Sequence, residues 1–89
     1  MRSYKFFVSG RVQGVYYRAN IAKNAQAVGF NGYVRNLDDG RVEAAVCCEK
    51  IDLELFLALL QMGSPRSSVE GVEHSEVGAA FSGGFIVKQ

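Results

Sequence analysis

The spacing of apolar residues changes along this chain, and the order of those changes constrains the fold more than any other sequence feature. From Tyr4 to Arg11 the apolar residues alternate in part, which predicts a β-strand with one face formed by Tyr4, Phe6, Val8 and Gly10. From about Tyr17 to Val28 the spacing becomes that of one helical face, formed by Ile21, Ala22, Ala25 and Val28. Gly29 follows as a natural C-terminal cap. The chain therefore opens with a strand and a helix, separated by a turn that Gly10 and Gly14 bracket.

The middle of the chain has the pattern of a β-hairpin. Residues 31–37 predict a second strand and residues 41–49 a third, joined by a tight turn at Asp38-Asp39-Gly40. One face of the third strand is apolar and predicts core positions at Val42, Ala44, Val46 and Cys48. The other face, which we expect to be the more solvated, is formed by Arg41, Glu43, Ala45, Cys47 and Glu49.

The last third of the chain predicts a second helix and two further strands. Asp52 is the expected N-cap of a helix over residues 53–62, whose apolar stripe is formed by Leu53, Phe56, Leu57 and Leu60. Gly63-Ser64-Pro65 ends this helix. A weaker strand over residues 69–77, a turn at Gly83-Gly84 and a short strand from Phe85 to Lys88 complete the chain.

The resulting order is β-α-β-β-α-β with an extra short strand at the end. This order predicts an α+β fold of the ferredoxin-like kind, in which one antiparallel sheet carries two helices on one face. A chain of 89 residues is long enough for one domain, so we expect a single domain over residues 1–89. Enzymes, metabolite sensors and RNA binders all use this fold, so the function has to be inferred from a site.

Charge and composition exclude several function classes. The ten basic and nine acidic side chains give a net charge of +1, whereas tight nucleic-acid binders usually carry a clear basic excess. No apolar run approaches the roughly 18 residues that a membrane-spanning helix needs, and the N-terminus does not resemble a secretory signal. The adjacent Cys47 and Cys48 cannot form a disulfide framework, which leaves only an intermolecular bond open. We expect a cytoplasmic monomer that binds neither nucleic acid nor membranes.

The segment between the first strand and the first helix is the strongest candidate for a binding site. A strand-to-helix turn presents unpaired backbone N–H groups, and the helix dipole adds positive potential there. Gly14 would let the backbone approach a ligand closely. Arg18, in the first helical turn, could fold over the loop and pair with a phosphate through two hydrogen bonds. The segment predicts an anion site; the alternative is an ordinary glycine loop followed by a solvated arginine.

A second candidate lies at the end of the second strand. Asn36 shares a strand face with Val34 and lies close to the predicted turn. Its amide has both a donor and an acceptor and could hold a water molecule for attack on a substrate. The alternative is that Asn36 ends the strand and bonds to its own backbone.

Both segments resemble the signature motifs of the acylphosphatase family. Residues 10–15, Gly-Arg-Val-Gln-Gly-Val, followed by Tyr16-Tyr17-Arg18, resemble the first signature, and residues 32–36, followed by Asp39-Gly40 and Val42-Glu43, resemble the second. Gly63-Ser64-Pro65 with Val69, and residues 85–87, fit weaker positions of the family.

The resemblance implies an enzyme that hydrolyses the carboxyl–phosphate bond of acyl phosphates. It implies that Arg18 and loop amides bind the phosphate, that Asn36 positions the attacking water, and that neither a metal nor an organic cofactor is needed. The implied ligand is a small acyl phosphate or inorganic phosphate. The implied phosphate-binding loop consists of Arg11, Val12, Gln13, Gly14, Val15, Tyr16, Tyr17 and Arg18.

Two other functions remain open at the level of sequence. One is a catalytically silent module that binds an anion or metabolite on the same fold. The other is a single-stranded RNA binder that stacks bases on Tyr33 and Phe7, against which the near-neutral charge argues. His74, the only histidine, is expected to be a surface residue of the weak strand, and the motifs provide no histidine, cysteine or carboxylate pair as a base.

Overall fold

The computed structural model describes residues 1–88 and contains one five-stranded sheet with two helices. The elements are β1 (Arg2–Arg11), α1 (Tyr17–Val28), β2 (Asn31–Asn36), β3 (Val42–Cys48), a 3-10 turn (Lys50–Asp52), α2 (Leu53–Met62), β4 (Ser68–Val77) and β5 (Phe85–Val87). The order in the sheet is β4-β1-β3-β2-β5, and the predicted ferredoxin-like α+β class is confirmed. Neither helix in these residues has the length and apolar composition that crossing a membrane requires.

The sheet is mixed, whereas the sequence predicted a wholly antiparallel one. β5 pairs with β2 in parallel, with Gly32 opposite Phe85 and Val34 opposite Val87. The other neighbouring strands are antiparallel. Alternation of side chains predicts a strand but carries no information on its direction, because a period of two residues is the same in both senses. The chain reaches this edge of the sheet after leaving β4 at the opposite edge.

The core lies between the helices and one face of the sheet. The predicted core positions of β3 (Val42, Ala44, Val46 and Cys48) are all buried, as are Tyr4, Phe6 and Val8 of β1. Phe56 of α2 is at the centre, with ring centroids 5.2 Å from Phe6, 5.4 Å from Phe30 and 5.9 Å from Phe85. These aromatic contacts pack α2 against the sheet, including its edge strand β5.

The opposite face of β3 is the more solvated of the two, as predicted, although two of its side chains are buried. Glu43 is only 4% exposed and Ala45 is fully buried. The Tyr33 hydroxyl and Arg35 Nε each donate a 2.7 Å hydrogen bond to Glu43 Oε2, and the Phe81 ring packs edge-on against Tyr33. Glu43 and Ala45 are buried because β3 is the central strand, so side chains from its neighbours cover this face as well.

In the described structure the Asp52 side chain does not form the capping hydrogen bond that the sequence predicted. Asp52 ends the 3-10 turn in a helical conformation, with φ −90° and ψ −3°, and its side chain makes no capping hydrogen bond. The turn leads directly into α2, and the Asp52 N–H donates to the Glu49 carbonyl at 2.9 Å. The helix therefore begins from a preceding turn instead of a side-chain cap, although its predicted bounds are confirmed.

Candidate active site

Strand direction brings distant parts of the sequence to one end of the sheet. β1, β2 and β5 run the same way, so the residues that follow β1 and β5 lie beside Asn36 at the end of β2. β4 runs the opposite way, so the turn that precedes it is at this end as well. A cavity of about 470 Å³ opens here and is lined by Val12, Gly14, Tyr16, Tyr17, Arg18, Ala19, Asn36, Arg66 and Val87.

The loop between β1 and α1 alternates between buried and exposed residues. Val12, Val15 and Tyr17 are buried in the core and anchor the loop, while Gly14 and Tyr16 are exposed. Gly14 and Tyr16 both have left-handed backbone conformations, with φ 73° and 62°. Tyr16 is the only described residue other than glycine with a positive φ, a conformation that ordinarily costs about 1–2 kcal/mol. The loop is thus bent sharply at two places and held by three buried side chains.

Among the described residues, neither a capping side chain nor an acidic residue in the first turn compensates the positive end of the α1 dipole. Tyr16 occupies the N-cap position without a side-chain capping bond, and the first turn contains no acidic residue. The first hydrogen bond from a helix amide is that from the Asn20 N–H to the Tyr16 carbonyl, at 3.1 Å, and within residues 1–88 the amides from Gly14 to Ala19 donate none. Free N–H groups at the positive end of a helix dipole form a site for an anion.

Arg18 is held beside this loop by one hydrogen bond. Its Nη1 donates to the Lys88 carbonyl at 3.1 Å, and the Lys88 N–H in turn donates to the Val34 carbonyl of β2 at 2.9 Å. A guanidinium has five N–H donors, so this single contact orients the group and leaves the other donors for a ligand. Arg18 is half-buried and lines the cavity.

Asn36 also lines the cavity, and its side-chain oxygen is unusual. Oδ1 is buried and accepts no hydrogen bond from any residue between 1 and 88. A buried acceptor without a donor costs about 1–3 kcal/mol, unless a bound species supplies the donor. The alternative in which Asn36 bonds to its own backbone has no corresponding hydrogen bond in this part of the chain.

Two side chains fix the loop to its neighbours without lining the cavity. Gln13 Nε2 donates to the carbonyls of Leu37 and Arg41, at 2.8 and 3.0 Å, and so joins the loop to the β2–β3 hairpin. The Ser64 hydroxyl, which is buried, donates to the Val15 carbonyl at 2.7 Å. Of the predicted loop residues, Arg11 lies elsewhere: it is the exposed last residue of β1, paired with Ser68 of β4.

Sequence reasoning did not predict that Ala19, Arg66 and Val87 would line the cavity. Ala19 faces the cavity because it follows Arg18 in the first turn of α1. Val87 and Arg66 are brought there by the directions of β5 and β4, which alternation alone does not give. The only sequence signal for Arg66 was its place directly after Gly63-Ser64-Pro65.

Comparison with known proteins shows the family to which this chain belongs. A sequence model of the acylphosphatase family matches residues 4–85. The chain belongs to the acylphosphatase family. The acylphosphatase of Haloarcula marismortui is 55% identical over 67 residues, which are 75% of this chain and 74% of the relative. That of Alkalilimnicola ehrlichii is 42% identical over 85 residues, or 96% of each chain.

A solved structure extends the similarity to the whole fold. The crystal structure of acylphosphatase from Bacillus subtilis superposes with a TM-score of 0.89 at 33% identity, covering 100% of both chains. The chain is therefore an enzyme of the acylphosphatase kind, a hydrolase of acyl phosphates. The two segments that resemble acylphosphatase signatures both contribute residues to the same cavity.

Proposed function

We propose that Arg18 and the loop amides hold the phosphoryl group of the acyl phosphate, while Asn36 orients the water that attacks phosphorus. The observation that carries this proposal is that three unsatisfied features belong to residues that line the same cavity. These are the free amides at the start of α1, the spare donors of Arg18 and the unpartnered Oδ1 of Asn36.

The phosphoryl oxygens are matched by donors that are already in place. The amides between Gly14 and Ala19 supply fixed N–H groups, and Arg18 adds a charge with a planar pair of donors. In phosphoryl transfer, negative charge spreads over the three equatorial oxygens while the attacking and leaving oxygens lie in line. Donors fixed by Gln13, Ser64 and the buried anchors need no reorganisation as that charge shifts, which lowers the barrier.

Asn36 acts on the water instead of the phosphate. Its side-chain amide hydrogen-bonds to the water and leaves an oxygen lone pair of that water directed at phosphorus. Fixing the nucleophile in this way removes orientational freedom that would otherwise add to the barrier. Gln13 sets the relative position of the two groups, because it bonds the phosphate loop to the hairpin that follows Asn36.

The water's proton passes to an oxygen of the substrate phosphate. None of the residues that line the cavity is a histidine, cysteine, aspartate or glutamate. The Tyr17 hydroxyl donates to the Leu60 carbonyl at 2.6 Å, and burial raises its pKa, so it stays protonated. The leaving carboxylate is weakly basic and needs no general acid. A limb of the pH–rate profile that disappears when a protein side chain is replaced would contradict this step.

The test is phosphate release from benzoyl phosphate in the presence of a chelator. We expect Arg18→Ala to lower kcat/KM by about a hundredfold to a thousandfold, the loss seen when one transition-state donor is removed. Asn36→Ala should lower it by about a hundredfold, the loss seen when a reacting group is misplaced. Lys50→Ala, an exposed charge at the other end of β3, and Asn24→Ala, on α1, are the matched controls and should retain activity.

Phosphate affinity separates the two roles. Calorimetry with inorganic phosphate should show weaker binding for Arg18→Ala and nearly unchanged binding for Asn36→Ala. Of these two side chains, only that of Arg18 contacts the phosphoryl group in the proposed mechanism. If the intact chain binds phosphate but releases none from acyl phosphates, it is instead a silent binding module. Full activity in either variant would refute the role assigned to that residue.

A further inference from the structure

Arg66 lines the same cavity as Arg18 and Asn36, yet the proposed mechanism gives it no task. It is exposed, and within residues 1–88 its guanidinium makes neither a hydrogen bond nor an ion pair. No acidic side chain is among the residues that line the cavity, so Arg66 adds a second positive charge beside Arg18.

The backbone that carries Arg66 is fixed with respect to the phosphate loop. The Ser67 N–H donates to the Ser64 carbonyl at 3.0 Å and closes a β-turn, with Pro65 and Arg66 as its central residues. The Ser64 N–H donates to Ser67 Oγ at 2.9 Å, and the Ser64 hydroxyl bonds to Val15 of the loop. A Cβ at Gly63 would lie 2.7 Å from the Tyr17 ring, so the turn also packs closely on the start of α1.

The backbone that carries Arg66 lies across the sheet from Asn36 and from the Lys88 carbonyl that holds Arg18. Its turn leads into β4, at one edge of the sheet, whereas Arg18 is bonded to Lys88 directly after β5, at the other edge. Asn36 ends β2, next to β5. In an in-line displacement the leaving group departs on the side of phosphorus opposite to the attacking water. A water held by Asn36 therefore directs the acyl group towards the side that Arg66 occupies.

We propose that Arg66 binds an anionic group on the acyl portion, so that the preferred substrates are acyl phosphates with a second negative charge, such as a carboxylate or a further phosphate. The inference rests on the proposed roles of Arg18 and Asn36. A rigid turn and a guanidinium without another partner are what recognition of such a group requires, and Arg can bind a carboxylate or a phosphate through two parallel hydrogen bonds.

The experiment compares benzoyl phosphate with 4-carboxybenzoyl phosphate, which differ by one distal carboxylate. We expect the intact chain to prefer the carboxylated substrate, and the preference to shrink as salt is added because the contact is partly exposed. Arg66→Gln should lower kcat/KM for 4-carboxybenzoyl phosphate by about two- to fivefold, the range expected for an exposed ion pair, and leave kcat/KM for benzoyl phosphate unchanged. Arg66→Lys should restore part of the preference, and Lys50→Gln should have no effect on it.

Binding of two non-hydrolysable analogues distinguishes failure of this inference from failure of the proposed mechanism. Affinities for benzoylphosphonate and 4-carboxybenzoylphosphonate do not depend on turnover, so the preference and its loss in Arg66→Gln are measurable in an inactive chain. An equal loss on both substrates would mean that Arg66 acts on the reacting phosphate or the leaving carboxylate, and would overturn the inference. An unchanged preference in Arg66→Gln would overturn it as well.

Discussion

At the scale of single residues, the sequence predicted cavity residues that belong to a recognisable motif. It did not predict residues that reach the cavity only through the folding of distant segments. Arg18 and Asn36 were identified from two short segments, and both line the cavity. Arg66 was not, because nothing local distinguishes an arginine in a turn from a solvated charge. Gln13 was expected to belong to the phosphate-binding loop, but the role of its side chain, which bonds the loop to the hairpin across 24 and 28 residues, was not predicted.

Tyr16 provides a prediction at this scale. Its left-handed backbone, at φ 62°, is disfavoured for a residue with a Cβ and most disfavoured for a β-branched one. We expect Tyr16→Val to lower the free energy of unfolding by about 1–2 kcal/mol relative to Tyr16→Gly, because glycine adopts this conformation without the Cβ penalty. Tyr16 is 78% exposed, so neither change creates a core cavity.

Urea unfolding of the two variants measures this difference. Equal stabilities would show that the loop relaxes out of the left-handed conformation. Tyr16→Ala is the control for loss of the aromatic ring, and it should lie between the two variants.

At the scale of elements, both helices could be predicted to the residue, whereas the direction of β5 and the environment of β3 could not. Helical spacing and a following glycine are local signals, and α1 ends at Gly29 in the left-handed conformation that such a cap requires. The burial of Glu43 depends on which strands flank β3, and that is a property of the assembled sheet. The same reasoning explains why Glu43 was assigned to a solvated face.

The buried Glu43 carboxylate predicts an acid-dependent loss of stability. Burial alone would raise its pKa, but the hydrogen bonds from Arg35 and Tyr33 outweigh burial and hold the pKa below its ordinary value. A depressed folded-state pKa contributes stability that is present above the unfolded value and is lost as pH falls through the folded value. We therefore expect Glu43→Gln to cost about 1–2 kcal/mol at pH 7, mainly through the weakened Tyr33 bond, since water screens the more exposed Arg35.

Urea unfolding between pH 7 and pH 3 tests this expectation. The difference between the intact chain and Glu43→Gln should begin to narrow as the pH falls below the ordinary glutamate pKa of about 4.3, and should be lost once the pH has passed below the lower folded-state pKa of Glu43. A difference that stays constant over this range would mean that packing, and not charge, makes Glu43 stabilising.

The buried Tyr33 hydroxyl predicts that stability is lost as the pH rises in the alkaline range. Burial and the bond to Glu43 raise the pKa of Tyr33 to about 12 from a model-compound value of 10.0. Because the folded value is the higher one, the stabilisation is complete below pH 10 and is lost as pH rises towards 12. The free energy of unfolding of Tyr33→Phe should therefore fall less steeply above pH 10 than that of the intact chain. Parallel curves for the two proteins would contradict a raised pKa at this residue.

At the scale of the whole molecule, the candidate site is a consequence of strand direction. The loop after β1, Asn36 at the end of β2 and Lys88 after β5 meet because these strands run the same way. The ferredoxin-like order predicted from sequence already places the ends of β1 and β2 together, so the proximity of Arg18 and Asn36 was predictable. The contribution of β5 was not, because its parallel pairing had no local signal.

A site built from so many parts of the chain couples ligand binding to global stability. In the proposed site phosphate is bound by α1, its preceding loop and Arg18, which come together only in the folded state, so phosphate should stabilise that state by RT ln(1 + [phosphate]/Kd). At a phosphate concentration about one hundred times Kd this amounts to about 2.7 kcal/mol, and each kcal/mol raises the Tm of a domain of this size by about 4–8 °C. We therefore expect phosphate to raise the Tm of the intact chain by roughly 10–20 °C under these conditions.

Arg18→Ala should show a much smaller increase in Tm at the same phosphate concentration, while Lys50→Ala should match the intact chain. Increments that are equal in all three proteins would mean that phosphate stabilises the fold from somewhere other than this cavity.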